Sequence, residues 1–130
     1  MDTTNSKRAG RKAGQGSKWI RPTKRLAIYL RDGLCCAYCG ATVEDGAMMS
    51  LDHITACELG GTNEATNLVT SCVSCNSSKR DLTTRAWFSV LRDRGVDTSK
   101  LGARIRRTTR KNLAAHIASA KTIIADRAAA

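Results

Sequence analysis

The sequence predicts a small α+β domain in which two short strands sit among helices and a cross-link takes the place of a large apolar core. Three observations lead there. At 130 residues the chain is sized for one domain, yet it holds only five aromatic residues, Trp19, Tyr29, Tyr38, Trp87 and Phe88; a core this thin rarely stabilises itself without a staple. Two Cys-x-x-Cys pairs, "CAYC" and "CVSC", offer that staple. Short turn-bounded segments with strand character, "MMSLDHI" and "NLVTSC", lie between segments with helical spacing.

In chain order, residues 1–18 are rich in Gly, Lys and Arg without periodicity and read as a flexible basic arm, which we extend to residue 21. "RPTKRLAIYLRDG" predicts a helix from Pro22 to Asp32, with proline in its first turn and Gly33 after its last. Turns surround "CCAYCG", and "EDG" reverses the chain. "MMSLDHI" reads as a strand, "ELGGTNEAT" as a loop and "NLVTSC" as a second strand. "NSSKRDL" opens a helix with Asn76 as its cap. "TTRAWFSVLRDRG" places Trp87, Val90 and Leu91 at helical spacing, and "DTSK" caps a further helix with Leu101 and Ile105 on one face. Leu113, Ile117 and Ile124 line up on a stripe roughly 120–160° away from Leu101, so a break near Thr108–Thr109 is expected. The expected organisation is an arm over 1–21, a core over 22–82 and a basic helical extension over 83–130.

Cys36, Cys39, Cys72 and Cys75 are the expected ligands of a structural Zn²⁺. Two residues between thiolates let a tight turn present both sulfurs to one ion, and two such turns complete a closed tetrahedral set. Cys35 is an alternative to Cys36, but the symmetric spacing favours Cys36; Cys57 reads as a small apolar filler. The N-terminus carries no apolar signal region and no run approaches membrane-spanning length, so reducing cytosol is the expectation and three disulfides are not.

The formal net charge of +11 is unevenly placed. Residues 1–25 and 100–130 each carry eight Lys/Arg against one acid, whereas residues 26–99 carry six against nine, which gives +7, +7 and −3. Basic flanks suit a polyanion and the acidic centre suits a cation; basic tails also serve solubility alone. Lys79 and Arg80, and Arg104, Arg106, Arg107, Arg110 and Lys111 in the extension, are the candidates for DNA contact.

The segments "RDGLCCAYCG", "LDHI", "GGTNEATNL" and "SCVSCNSSK", from Arg31 to Lys79, resemble the zinc-containing branch of the HNH endonuclease family, also called ββα-metal or His-Me finger nucleases. The third letter of the name is asparagine here, Asn76. The resemblance implies a ββα-metal core with flanking helices and hydrolysis of DNA phosphodiesters to 5′-phosphate and 3′-hydroxyl ends, one strand per site. An imidazole changes charge between about pH 5 and 8, so His53 suits a general base. Asp52 and the amide oxygen of Asn76 suit a hard ion, Mg²⁺ or Mn²⁺. In the family the middle asparagine, here Asn67, orients the histidine by hydrogen bonding. Stand-alone members often belong to phages and prophages, so a bacterial or phage-infected cytoplasm is the implied setting. Neighbours on a regular strand point to opposite faces, so Asp52 and His53 share a site only if the strand ends or twists there.

His116 reads as a structural residue of an Ala-rich helix. Three partnerships stay open at this level: DNA, a homodimer through the Leu113, Ile117 and Ile124 stripe, and a role as a component of a phage packaging machine. A non-catalytic zinc module that binds nucleic acid explains the cysteines and the charge but not the Asp52, His53, Asn67 and Asn76 constellation.

Overall fold

A computed structural model describes residues 20–129. The basic arm, apart from its last two residues, and Trp19 lie outside the described residues. The order is α1 (Pro22–Arg31), β1 (Met49–His53), β2 (Leu68–Cys72), α2 (Val73–Lys79), α3 (Thr84–Asp93), α4 (Leu101–Thr109) and α5 (Ala114–Ala129). Two single-turn 3₁₀ segments, Cys57–Leu59 and Ala65–Asn67, shape the loop between the strands. The α+β class and both strands match the reading from sequence.

β1 and β2 pair antiparallel, with Asp52 opposite Val69 and His53 opposite Leu68. Side chains alternate between faces, and each face has its own cluster. Leu51 and Leu68 pack with Ile20 and Ile28 beneath α1. Val69 joins Cys36, Tyr38, Cys72, Cys75, Trp87, Leu91, Leu101 and Ile105 on the other side. Helices α3 and α4 therefore share one core with the cysteines. The Tyr38 and Trp87 rings meet edge-on, with centroids 5.5 Å apart.

Two local features depart from expectation. Helix α2 begins at Val73, one turn before Asn76, because the Cys72 sulfur accepts from the Cys75 N–H and caps it. Asn76 lies inside the helix, where it faces β1. Helix α4 has no side-chain cap; Asp97 instead accepts from the Ser99 N–H at 2.9 Å in the preceding turn. The expected break is present, since α4 ends at Thr109 and α5 starts at Ala114. Helix α5 lies along α1, with Ala120 fully buried and Leu113 packed against the Ile28 cluster. The apolar stripe proposed for a homodimer has a partner within the chain.

Arg31, at the end of α1, fixes the approach to β2. It is 5% exposed, and its guanidinium donates to Asp32 (2.7 Å), to the Ala65 carbonyl (3.0 Å) and to the Leu68 carbonyl (2.7 Å). Asp32 in turn accepts from the Thr70 N–H at 2.8 Å. Carbonyls that leave the ladder at the loop–strand junction thereby find donors.

Candidate metal centre and catalytic cleft

The Cys-x-x-Cys turn of residues 36–39 is built on a narrow hairpin. The Cys36 N–H donates to the Ala41 carbonyl at 2.8 Å, and Cys35 bridges Thr42. Gly40 turns the chain with φ +81°, a left-handed conformation that favours glycine. The second pair spans the β2–α2 junction. Together they bring the sulfurs of Cys36, Cys39, Cys72 and Cys75 within 4.8 Å of one another. Four thiolates about 2.3 Å from one tetrahedral ion would lie about 3.8 Å apart, and the Cys39–Cys72 separation is 3.8 Å. Backbone N–H groups of Tyr38 and Cys39 point at the Cys36 sulfur, at 3.4 and 3.5 Å. Burial, and the neighbouring Cys36, Cys72 and Cys39 sulfurs, push the Cys75 thiol up; a bound cation reverses that logic. The donor set fits a closed metal site. Cys35 stands apart, with its thiol near the Asp32 carbonyl at 3.4 Å.

β1 ends at His53, which resolves the facing problem. Asp52 points under α2, His53 lies on the opposite face at the strand's last position, and both line one cleft of about 180 Å³ with Asn76, Arg80, Cys57 and Glu58. Asp52 is 4% exposed; its Oδ2 accepts from the Tyr38 hydroxyl at 2.5 Å and lies 3.2 Å from the Lys79 ammonium. Burial pushes the Asp52 carboxyl above its ordinary range, while Lys79, the Tyr38 hydroxyl and His53 pull it back. Burial and the Asp52 charge likewise push the Tyr38 phenol well up. Asn76 donates through Nδ2 to Ser50 Oγ at 2.8 Å and to the Leu51 carbonyl at 3.3 Å. Its amide oxygen is the remaining ligand atom. One carboxylate and one amide oxygen on a shared cleft fit the sparse protein ligation that a small hard cation accepts.

Lys79 corrects an expectation. It is 1% exposed, and its ammonium also donates to the carbonyls of His53 (2.9 Å) and Ile54 (3.4 Å). It ties α2 to the end of β1 rather than facing a phosphate. Arg80, Arg104, Arg106, Arg107, Arg110 and Lys111 are exposed.

The loop after His53 explains the glycines and asparagines of "GGTNEATN". Asn67 accepts from the Thr55 N–H at 2.9 Å and donates to the carbonyls of Thr55 (3.1 Å) and Thr62 (2.8 Å), which closes the loop. The group hydrogen-bonded to the imidazole is Asn63, whose Oδ1 lies 2.7 Å from His53 Nε2. Asn67 thus closes the loop that carries Asn63, a residue that the reading from sequence did not single out. An amide oxygen only accepts, so in the tautomer that donates from Nε2 to Asn63 Oδ1 the basic lone pair sits on Nδ1. Lys24 donates to the Asn63 carbonyl at 2.7 Å and anchors that loop to α1. The Cys57 sulfur lies 3.5 Å from Nε2, inside the cleft.

Gly61 has no room for a side chain. A Cβ there would stand 1.7 Å from the Thr55 carbonyl oxygen and 2.9 Å from Asn67 Nδ2. Gly61→Ala must therefore open the Asn67 clamp. We expect about 2 kcal/mol of lost stability by overpacking and a large loss of any His53-dependent activity, read by thermal melting and turnover. Asn63→Ala should leave the melting temperature nearly unchanged and slow catalysis by about tenfold or more through loss of tautomer and ring orientation. An unchanged rate would remove Asn63 from the site.

Asp52 gives a pH-linked prediction. A folded-state pKa above the unfolded one means that the folded chain favours the protonated carboxyl. That contribution is fully present below about pH 4 and is lost as pH rises through the raised folded value. Asparagine stays neutral and still accepts from Tyr38 and Lys79. Asp52→Asn should thus melt at the same or a higher temperature at pH 7 while activity disappears; a melting point several degrees lower would contradict the assignment.

Among the described residues, no helix is long and apolar enough to cross a membrane. The HNH endonuclease family profile matches residues 36–82. A curated protein of Bacillus subtilis (strain 168), SPbeta prophage-derived and named as an HNH endonuclease, is 34% identical over 61 residues, covering 42% of this chain. The match spans 26% of that protein's length. No solved structure matches. The matched segment, residues 36–82, is the one that holds the four cysteines with Asp52, His53, Asn67 and Asn76, and it is this segment that is similar to the HNH endonuclease family.

Proposed function

We propose that the chain is a divalent-metal-dependent DNA endonuclease, folded around a structural zinc at Cys36, Cys39, Cys72 and Cys75. The observation that carries this reading is the single cleft lined by Asp52, His53 and Asn76, with His53 Nε2 held by Asn63. His53 Nδ1 takes the proton from the attacking water, and Asn63 holds the ring as the imidazolium forms. Asp52 and Asn76 hold Mg²⁺ or Mn²⁺, which when bound stabilises charge on the phosphate and the departing 3′ oxygen. Lys79 and Tyr38 keep the Asp52 carboxylate aimed. A carboxylate has about four lone-pair directions, so Oδ2 can serve these donors while ligand capacity remains. Arg80, at the cleft edge, and the exposed arginines of α4 grip the backbone. One site cuts one strand and leaves 5′-phosphate and 3′-hydroxyl ends.

A second reading, a non-catalytic zinc-stapled nucleic-acid-binding module, draws support from the Lys79–Asp52 ion pair, which already compensates the buried carboxylate. Supercoiled plasmid distinguishes the two. The endonuclease converts it to nicked circles in Mg²⁺ or Mn²⁺ and stops on chelation of that ion. The binding module retains plasmid in a gel without breaking it.

A further inference from the structure

A second cavity, of about 380 Å³, lies between α3, α4 and the loop after β1, and shares no lining residue with the His53 cleft. Its volume falls within the range of about 300–1,000 Å³ typical of small-molecule sites. Three of its features point to a ligand. Trp87 lines it, and the indole Nε1 is buried with no hydrogen-bond partner among the described residues. Phe88, half-buried, and Ile105, 7% exposed, add apolar wall. Arg106 and Arg110 line the same cavity from exposed positions, and neither pairs with a carboxylate among the described residues.

These features select a ligand. An indole N–H only donates, so its partner must offer an acceptor. Flat apolar walls suit an aromatic face, and paired guanidinium groups suit a phosphate. A bare anion would leave the Trp87 and Phe88 wall unused, and an uncharged apolar ligand would leave both arginines unused. We propose that this cavity binds a single unpaired nucleotide unit, with the base against Phe88 and Ile105, a base acceptor on Trp87 Nε1 and the 5′-phosphate on Arg106 and Arg110. The proposal is independent of the chemistry at His53.

The test is calorimetric titration of the zinc-loaded full chain, without added Mg²⁺ or Mn²⁺. The ligands are thymidine 5′-monophosphate, a 5′-phosphorylated thymidine hexanucleotide, thymidine and inorganic phosphate. The nucleotide unit should bind about tenfold or more tighter than thymidine or phosphate, and Arg106→Gln with Arg110→Gln should lose about tenfold or more. Trp87→Phe should lose several-fold with a cooperative melt retained, and His53→Ala should bind as the parent does. Binding of the monomer assigns the cavity to any nucleotide; binding of the hexanucleotide alone assigns it to a strand. Phosphate binding as tightly as the nucleotide, parent-like binding by the double arginine variant, or no binding of either nucleotide would overturn the proposal. Both arginines are surface residues, so the result stands even if Trp87→Phe misfolds. Plasmid nicking by the same variants is read separately, so either reading can fail alone.

Discussion

Stripping the metal from Cys36, Cys39, Cys72 and Cys75 should unfold the core, and Cys72→Ser should do the same. The four sulfurs join the 36–39 turn to the β2–α2 junction, and three of these cysteines are buried within the main apolar cluster. Without the ion, that cluster holds three unligated thiols, with Cys39 exposed at its edge, and a two-stranded sheet that is marginal by itself. A structural Zn²⁺ supplies on the order of 10 kcal/mol or more, which is comparable with the whole stability of a small domain, about 5–15 kcal/mol. Far-ultraviolet circular dichroism during chelation should show helix and strand signal lost together, and stoichiometric zinc should restore it. Cys35→Ser and Cys57→Ser should bind zinc as the parent does. An apo protein that melts cooperatively within a few degrees of the loaded one would show that packing, not the metal, holds the fold.

His53→Ala should slow plasmid nicking by about 10²–10⁴-fold, the usual worth of a positioned general base, with DNA retention unchanged. Retention is expected to survive because the basic residues proposed to grip DNA, Arg80 and those of α4, are other side chains. The fold should also survive, because His53 is only half-buried at the strand end and Lys79 holds the backbone through the His53 carbonyl. A rate within a few-fold of the parent would remove His53 from the chemistry.

Much of this architecture was legible in the sequence for physical reasons. Metal-ligand spacing is a local property, so the two Cys-x-x-Cys turns could be read directly. The helix stops at Gly33 and Gly95 were equally local: both glycines adopt positive φ, +77° and +91°. What the sequence concealed were contacts between distant segments. Lys79 reads as surface charge because nothing nearby in sequence reveals that Asp52, Tyr38 and two carbonyls converge on it. Asn63 and Asn67 sit four residues apart in one polar loop, and only the folded loop decides which of them meets the imidazole. "GGTN" did carry a usable signal: paired glycines beside a histidine-bearing strand mark a close backbone approach, and Gly61 proves to be that point. Asn76 looked like a cap because the real cap, the Cys72 sulfur, is an unusual one. The Leu113 stripe looked like an interface because α1, its partner, lies more than eighty residues away.

The most direct test of the central claim, that one metal-stapled cleft unites the imidazole of His53 with the oxygens of Asp52 and Asn76, is a double-variant cycle on single-turnover nicking by zinc-loaded protein. Groups that act as a unit are grossly non-additive. His53→Ala with Asn76→Ala should therefore be hardly slower than the slower single variant. Losses that multiply, or a single variant that nicks as the parent does, would mean that the two residues do not serve one site.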